Sequence, residues 1–542
     1  MPIVSANPPE IFTLDQWKGL NQQVRRGSLD DHELWWSENY LPLGPGNLRA
    51  MWGPSEPIYT APSGTNILRI FFGYIGLNTP QYGAPPPGRL GFMMLSNGNV
   101  DVVDLNTQQI WNLGNIWNPI APYYWASVKV WRPQWVGHTV GQQGGVVIGS
   151  PELTLNPGDP GGLWAWDGTT LYAPGDNAPD WLTNLDPAAG DPQLTMPIGL
   201  PGIYTMEVYQ QRLYVAGKDV LSYSAPSNGA DFATVDGGGS MGYFGNQLVY
   251  SYMDLAASSG YLYCFGDSCT DGITNVRLTG SGTPEAPYDT IFDYSNIDPQ
   301  IGQRFPRPTG HWGRYFTHYA GGGIFLMRGG DAIDISQKVT NLYYTLDPTP
   351  FMPTMCPATM FGIRVMLFNG IFTDPWGVKR SMLLVWDGSK WTCASQNLDL
   401  TEINCYEDNS VITPYGTDGT SLYQLFAQPD SSLPKRLSTK SLRGDKEAQL
   451  AIKNFKRIFV EFHDLDGGGV ELTGNITTTQ GGVPNGSQQV SFQLTEGQLT
   501  SLEPWPISGM GISAHIDLES LSPDFIIERI HLANEQRTLY GA

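Results

Sequence analysis

Seven histidines, five cysteines and 51 acidic side chains are the raw material for chemistry in this chain of 542 residues. His311 and His318 share one segment, but no Cys or carboxylate pattern completes a metal site around them. His32, His138, His463, His515 and His531 are scattered. The run "HDLDGGG" (His463–Gly469) resembles a fragment of a calcium loop, yet it lacks a third oxygen ligand and the closing Glu, so a plain turn is expected there. The sequence holds no His-Glu-x-x-His, no phosphate-binding Gly-x-x-x-x-Gly-Lys-Ser/Thr and no Gly-x-Ser-x-Gly. The cysteines (Cys264, Cys269, Cys356, Cys393, Cys405) are odd in number and form no Cys-x-x-Cys. Cys264 and Cys269 could meet across a hairpin; free buried thiols, as in a protein made in the cytosol, are the expectation. No catalytic, cofactor-binding or metal-binding residue is therefore expected.

Carboxylates in pairs would suit glycoside cleavage, a chemistry that β-propellers host over a central pocket. Asp167, Asp387 and Asp418 are the visible candidates, and each precedes a glycine. "WDGSKW" places Asp387, Gly388 and Trp391 near the Ser-x-Asp-x-Gly-x-x-Trp turn of sialidases, but the spacing and the preceding Ser do not match. These aspartates read as turn formers, because Asp-Gly accepts the positive φ that a tight hairpin requires.

Residues suited to contact rather than catalysis are clearer. Trp17, Trp35 and Trp36 stand in a charged N-terminal stretch, where they need a surface to lie on: the chain's own body or a neighbour's. A basic run from Lys435 through Arg436 and Arg443 to Arg457 could dock on an acidic neighbour, or could simply be solvated. Trp17, Trp35, Trp36, Lys435, Arg436 and Arg443 are the candidate assembly contacts.

The elements that position these residues are strands. Gly and Pro make up about a fifth of the chain, aromatics 12% and charged residues only 15%. One phrase recurs between 47 and 430, an apolar run, a tight turn and another apolar run. It turns at Asn97-Gly98, Asp167-Gly168, Gly217-Lys218, Asp267, Gly329-Gly330, Asp387-Gly388 and Asp418-Gly419. Propeller blades have shorter but comparable periods, and a ring of blades buries both faces of every hairpin. One or two large irregular β-sandwiches are the alternative. Beyond 455, about five alternating runs predict a compact β-sandwich. The organisation expected is all-β: an N-terminal arm over 1–46 with a short helix at Leu29–Tyr40 capped by Ser28, a large irregular β-propeller over 47–430, and a linker with a C-terminal β-sandwich over 431–542.

Charge narrows the function. The formal net charge is -21, and all but -3 of it precedes Lys435. That argues against a general grip on nucleic acid and fits either solubility or a surface that repels DNA. The opening "MPIVSANPPEIF" lacks a basic region followed by an apolar run, so no signal peptide is expected, and no apolar run is long enough to span a bilayer.

The stretch "QRLYVAGKDVLSYSAPSNGADFATVDGGGS" (Gln211–Ser240) joins a strand pair to Ser224, Pro226, Asp231, Phe232 and Gly237–Gly239. Together with "RRGSLDDHELWWSENYLPLGPGNLR" (Arg25–Arg49) it resembles the tail nozzle (tail tubular protein B-like) family of short-tailed bacteriophages. The resemblance implies a virion protein assembled in the host cytoplasm, without cofactor or catalytic residues. It implies a homo-hexameric ring below the portal and adaptor, docked on the adaptor and other tail proteins. Double-stranded DNA would pass through the ring without specific binding, and nothing would insert into a membrane. The competing reading is a carbohydrate-binding or carbohydrate-cleaving propeller used for host recognition.

Overall fold

The computed structural model describes residues 10–537 except 45, 76–87, 133–143, 153–159, 186, 188–189, 201, 218–219, 243–251, 259, 284–285, 307–308, 409, 444–451, 481–482 and 496–503. His138, Lys218 of one expected turn and part of the expected linker lie outside the described residues.

Strands dominate, as the composition predicts, and they form a large irregular β-propeller joined to a β-sandwich. Seven antiparallel four-stranded units follow one another along the chain. Six are blades 1 to 6, over residues 67–115, 127–172, 205–241, 252–298, 310–334 and 354–394. Blade 7 takes three strands from 402–424 and its outermost strand, Tyr59–Thr60, from the far end of the propeller sequence, with Leu422 opposite Tyr59. The ring closes by packing as well as by this strand exchange. Each seam between neighbouring blades has its own apolar cluster, for example Phe92 with Val146 between blades 1 and 2, and Met93 with Leu422 between blades 7 and 1. A single twisted sheet cannot bury both faces; stacking seven around an axis does.

The recurring aromatic-Asp-Gly phrase solves two local problems. Asp167, Asp387 and Asp418 each fold their carboxylate back on the turn: Oδ1 accepts the backbone N–H groups two and three residues on, at 2.7–2.8 Å. Gly168, Gly388 and Gly419 follow with φ of 97°, 100° and 91°, where a side chain would be strained. The preceding tryptophans fill seams: Trp166 packs 6.1 Å from Phe92 of blade 1, and Trp386 packs 5.0 Å from Trp312 of blade 5.

The N-terminal stretch departs from expectation. The helix over Leu29–Tyr40 is absent; Arg26–Ser28 makes a single 3-10 turn, and Leu34–Glu38 is a strand. The reason is tertiary. Lys435–Thr439 pairs along one edge of Leu34–Glu38, Glu38 registers with Cys393 on the other, and the adjoining cores bury Leu34 and Trp36, which outweighs any local helical preference. This strand pairs in parallel with Trp391–Ala394 of blade 6 and antiparallel with Lys435–Thr439. Blade 6 thereby continues into Ser513–Ser520, Val470–Gln480 and Val483–Leu494 as one nine-stranded sheet. A second sheet, of Glu10–Leu14, Phe525–Arg537, Ile452–Asp464, Trp505–Gly511, Tyr40–Leu43 and Asn47–Ala50, completes the sandwich. Trp17, Phe455, Phe462 and Phe525 lie in the core between the sheets. The "HDLDGGG" run is a turn, in which Asp464 accepts N–H groups from Asp466, Gly467 and Gly469.

Candidate functional site

Two places bring charged side chains together from distant parts of the sequence: the hub of the propeller and the joint between propeller and sandwich.

The innermost strands of all seven blades surround a cavity of about 440 Å³. Side chains two apart on a strand share a face, so Ser127 and Lys129 on one strand, and Thr205 and Glu207 on the next, point the same way. Lys129 Nζ pairs with Glu207 at 2.8 Å. Asp254 accepts Thr205 Oγ1 at 2.8 Å and the Thr309 N–H at 2.7 Å, which ties blades 3, 4 and 5 together. Burial raises the Asp254 pKa, and Lys129 and these two donors oppose the rise. For Lys129 the order is reversed: burial alone would lower it, but Glu207 and Asp254 hold it above the ordinary lysine value. His311 faces the same cavity and is depressed to about 4, chiefly by burial. At one end of the hub Arg69 and Glu402, both almost wholly buried, pair at 3.1 Å, and Arg69 also donates to the Tyr124 carbonyl at 3.1 Å. These groups cross-link blades; the carboxylates of Glu207, Asp254 and Glu402 all have donors within the chain.

The joint is organised around Glu38 and Asn39. Glu38 has no exposed surface and accepts both Nη groups of Arg380, at 2.5 and 2.7 Å. It also accepts the Trp36 indole N–H at 3.1 Å. Burial lowers the Arg380 pKa, but Glu38 more than reverses this. Asn39 sits at φ 59°, in a conformation that Asn tolerates better than most residues. Its side chain accepts the Ser395 N–H at 2.8 Å and donates to the Pro434 carbonyl at 2.7 Å. One residue thus pins the N-terminal stretch, blade 6 and the segment entering the sandwich.

The candidate contact residues gather around this joint. Trp17 is buried in the sandwich core, and Trp36 is buried in the cluster shared by blades 5 and 6. Trp35 is half-buried beneath the Arg26 guanidinium, 4.8 Å from its ring centroid. The surface on which these tryptophans lie belongs to their own chain. Lys435 is buried and donates to the Asp430 carbonyl at 2.7 Å; burial depresses it to about 8, although Asp430, Asp524 and Asp466 resist. Arg436 makes an open pair with Glu519 at 3.5 Å. Arg443 lies so close to Gly27 that a Cβ there would stand 2.5 Å from its guanidinium.

Sequence reasoning missed the hub charges, Glu38, Asn39 and Arg380. Partners such as Glu38 and Arg380 stand 342 residues apart, and neither carries a motif. A buried-strand reading of "LWWSENY" would have flagged Glu38 as a charge in need of a partner. All five cysteines are free thiols. Among the described residues, no helix is long and apolar enough to cross a membrane.

No family model and no curated protein matches the chain. Among solved structures, it is similar to BBS1N in complex with ARL6DN, with a TM-score of 0.40 and 8% identity over 72% of this chain and 98% of that one. It is also similar to a mutant Trypanosoma rangeli sialidase with trans-sialidase activity, with a TM-score of 0.26 and 9% identity over 88% and 97%. A third is the N-terminal domain of Nup159, with a TM-score of 0.25 and 11% identity over 78% and 96%.

Proposed function

We propose that this chain is a structural part of a phage virion, a tail nozzle whose six copies form a ring below the portal and adaptor and enclose the passage for the genome. The observation that carries the reading is the nine-stranded sheet that runs from blade 6 through an N-terminal strand into the sandwich. A hinge between domains ordinarily has few contacts across it and allows relative motion. Here Leu34–Glu38, registered with blade 6 at Glu38–Cys393 and laddered onto Lys435–Thr439, and a buried Glu38–Arg380 pair join the two bodies, which suits a part that holds shape under load. The charge of -21 supports the same reading, since a strongly acidic wall offers passing phosphates few cations to hold them. In this role the chain performs no turnover, and it is assembled in the host cytoplasm.

The test is negative-stain microscopy of the full chain across a concentration series, with duplex DNA added at low salt in a parallel gel-shift series. Closed rings with an axial hole and no retardation of DNA are expected. A chain that stays monomeric at every concentration, or that retards DNA, would overturn the proposal.

A further inference from the structure

Beside the joint stands a tryptophan that keeps about half of its surface exposed. Asp374–Val378 caps the hairpin between the second and third strands of blade 6, and Trp376 at its tip is 53% exposed. Its ring is nevertheless held in place. Trp35 and Trp36 meet it edge to face, with centroids 5.5 and 5.6 Å away and interplanar angles of 84° and 80°. Asp374 fixes the turn beneath it by accepting the Trp376 and Val378 N–H groups at 3.0 and 2.9 Å. The result is an indole immobilised before any ligand arrives, so little side-chain freedom is lost on binding.

This indole forms one wall of a groove of about 380 Å³ between blade 6 and the sandwich, whose other side carries Arg436, Asn475, Asp517 and Glu519. The volume falls within the ~300–1,000 Å³ typical of small-ligand sites. The Asn475 amide and the Trp376 indole N–H have no hydrogen-bond partner among the described residues. Arg436 and Glu519 meet only loosely, at 3.5 Å, and both remain open to solvent. The groove therefore offers an apolar plate, a free amide that both donates and accepts, carboxylates that accept hydroxyls, and a guanidinium that donates.

A ligand matching this set has a flat C–H face on one side and a ring of hydroxyls around its edge. Phosphate-bearing ligands match poorly, because each nearby guanidinium already faces a carboxylate: Arg436 with Glu519, Arg26 with Asp517 and Arg380 with Asp374. We infer that the groove between Trp376 and the Arg436–Glu519 face is a carbohydrate-binding site, in which a pyranose ring stacks on Trp376 and Asn475 and Glu519 take its hydroxyls. The inference goes beyond the ring proposal and does not rest on it.

Affinity electrophoresis of the full chain tests it, in gels containing dextran, soluble starch, hydroxyethylcellulose or glycol chitin. The wild type is expected to be retarded in at least one gel. Trp376→Ala should weaken that retardation at least tenfold, whereas Trp376→Phe, which keeps an aromatic plate, retains most of it. Tyr344→Ala, which removes another exposed aromatic side chain, leaves it unchanged. Circular dichroism of each variant establishes that folding is intact. The site is refuted if the wild type migrates alike in every gel, or if Trp376→Ala is retarded as strongly as the wild type.

Discussion

Two seams of the propeller both have an apolar core and differ in the buried polar groups added to it. Between blades 7 and 1, where the ring closes on itself, specific polar bonds are added to the apolar cluster around Met93 and Leu422. Arg69 and Glu402 pair in the interior, Asn404 Nδ2 donates to the Ile70 carbonyl at 2.9 Å, and Tyr59 reaches Asp101 at 2.5 Å from the exchanged strand. Between blades 4 and 5, where the chain simply runs on, the core is aromatic and apolar. Phe265, Phe316 and Met327 pack together, with Tyr263 and Phe316 centroids 5.4 Å apart. His318 joins this core, its ring 5.1 Å from Phe265, with no partner for either ring nitrogen among the described residues. The contrast follows from connectivity. Blades 4 and 5 are consecutive in the chain, joined by residues 299–309. In the closing seam only the exchanged strand Tyr59–Thr60 is tethered to blade 1, by residues 61–66, while Glu402 of blade 7 lies 333 residues from Arg69, so directional bonds must select the correct partner strand. A buried ion pair adds little net stability, but breaking it is costly, which makes it a better register pin than glue.

The largest expected effect comes from breaking the pin. Glu402→Ala leaves Arg69 buried without its counter-charge and should cost about 3–5 kcal/mol, read as a lower urea midpoint. Replacing both partners, with Arg69→Met and Glu402→Leu, should recover most of that loss if the pair serves register. A double variant as unstable as the single one would show that the pair also stabilises the seam.

The apolar seam should respond in the opposite sense. His318→Phe removes two buried polar atoms that lack partners and should raise stability by about 1–3 kcal/mol. A drop of that size in thermal unfolding would mean that the imidazole has a task the packing does not reveal. The same residue carries a pH signature. Burial depresses His318 to about 3 and, together with Arg26, depresses His515 to about 4. The unfolded chain takes up these protons near pH 6.5 and the folded chain only well below it, so stability falls as pH drops from about 6.5 toward 4. His318→Phe should flatten that slope. An unchanged slope would assign the acid sensitivity to His515 and His311.

The smallest effect tests the turns that the seams share. Asp387→Ala removes the carboxylate that collects the Ser389 and Lys390 N–H groups and should cost about 1 kcal/mol, with Asp418→Ala similar. Calorimetric midpoints compare them.

These differences also explain what could be read in advance. The Asp-Gly corners were legible because a local backbone requirement wrote them. Their uneven spacing has a structural cause: the phrase falls between the third and fourth strands in blades 2, 5 and 6, but between the second and third in blades 1, 4 and 7. The closing strand at Tyr59–Thr60 was illegible because it pairs with residues about 360 positions away. The strand at Leu34–Glu38 was hidden for the same reason, since only its partners make "LWWSE" a strand. Trp376 went unnoticed because "DPWGV" reads as a plain turn, and neither platform nor groove exists until blade 6 meets the sandwich.

The claim on which the rest depends is that propeller and sandwich form one rigid body through the Leu34–Glu38 strand. Differential scanning calorimetry of the full chain tests it directly. A single cooperative transition is expected, which Glu38→Gln divides into two by loosening the hold on Arg380. A wild type that already melts in two well-separated steps would contradict the account.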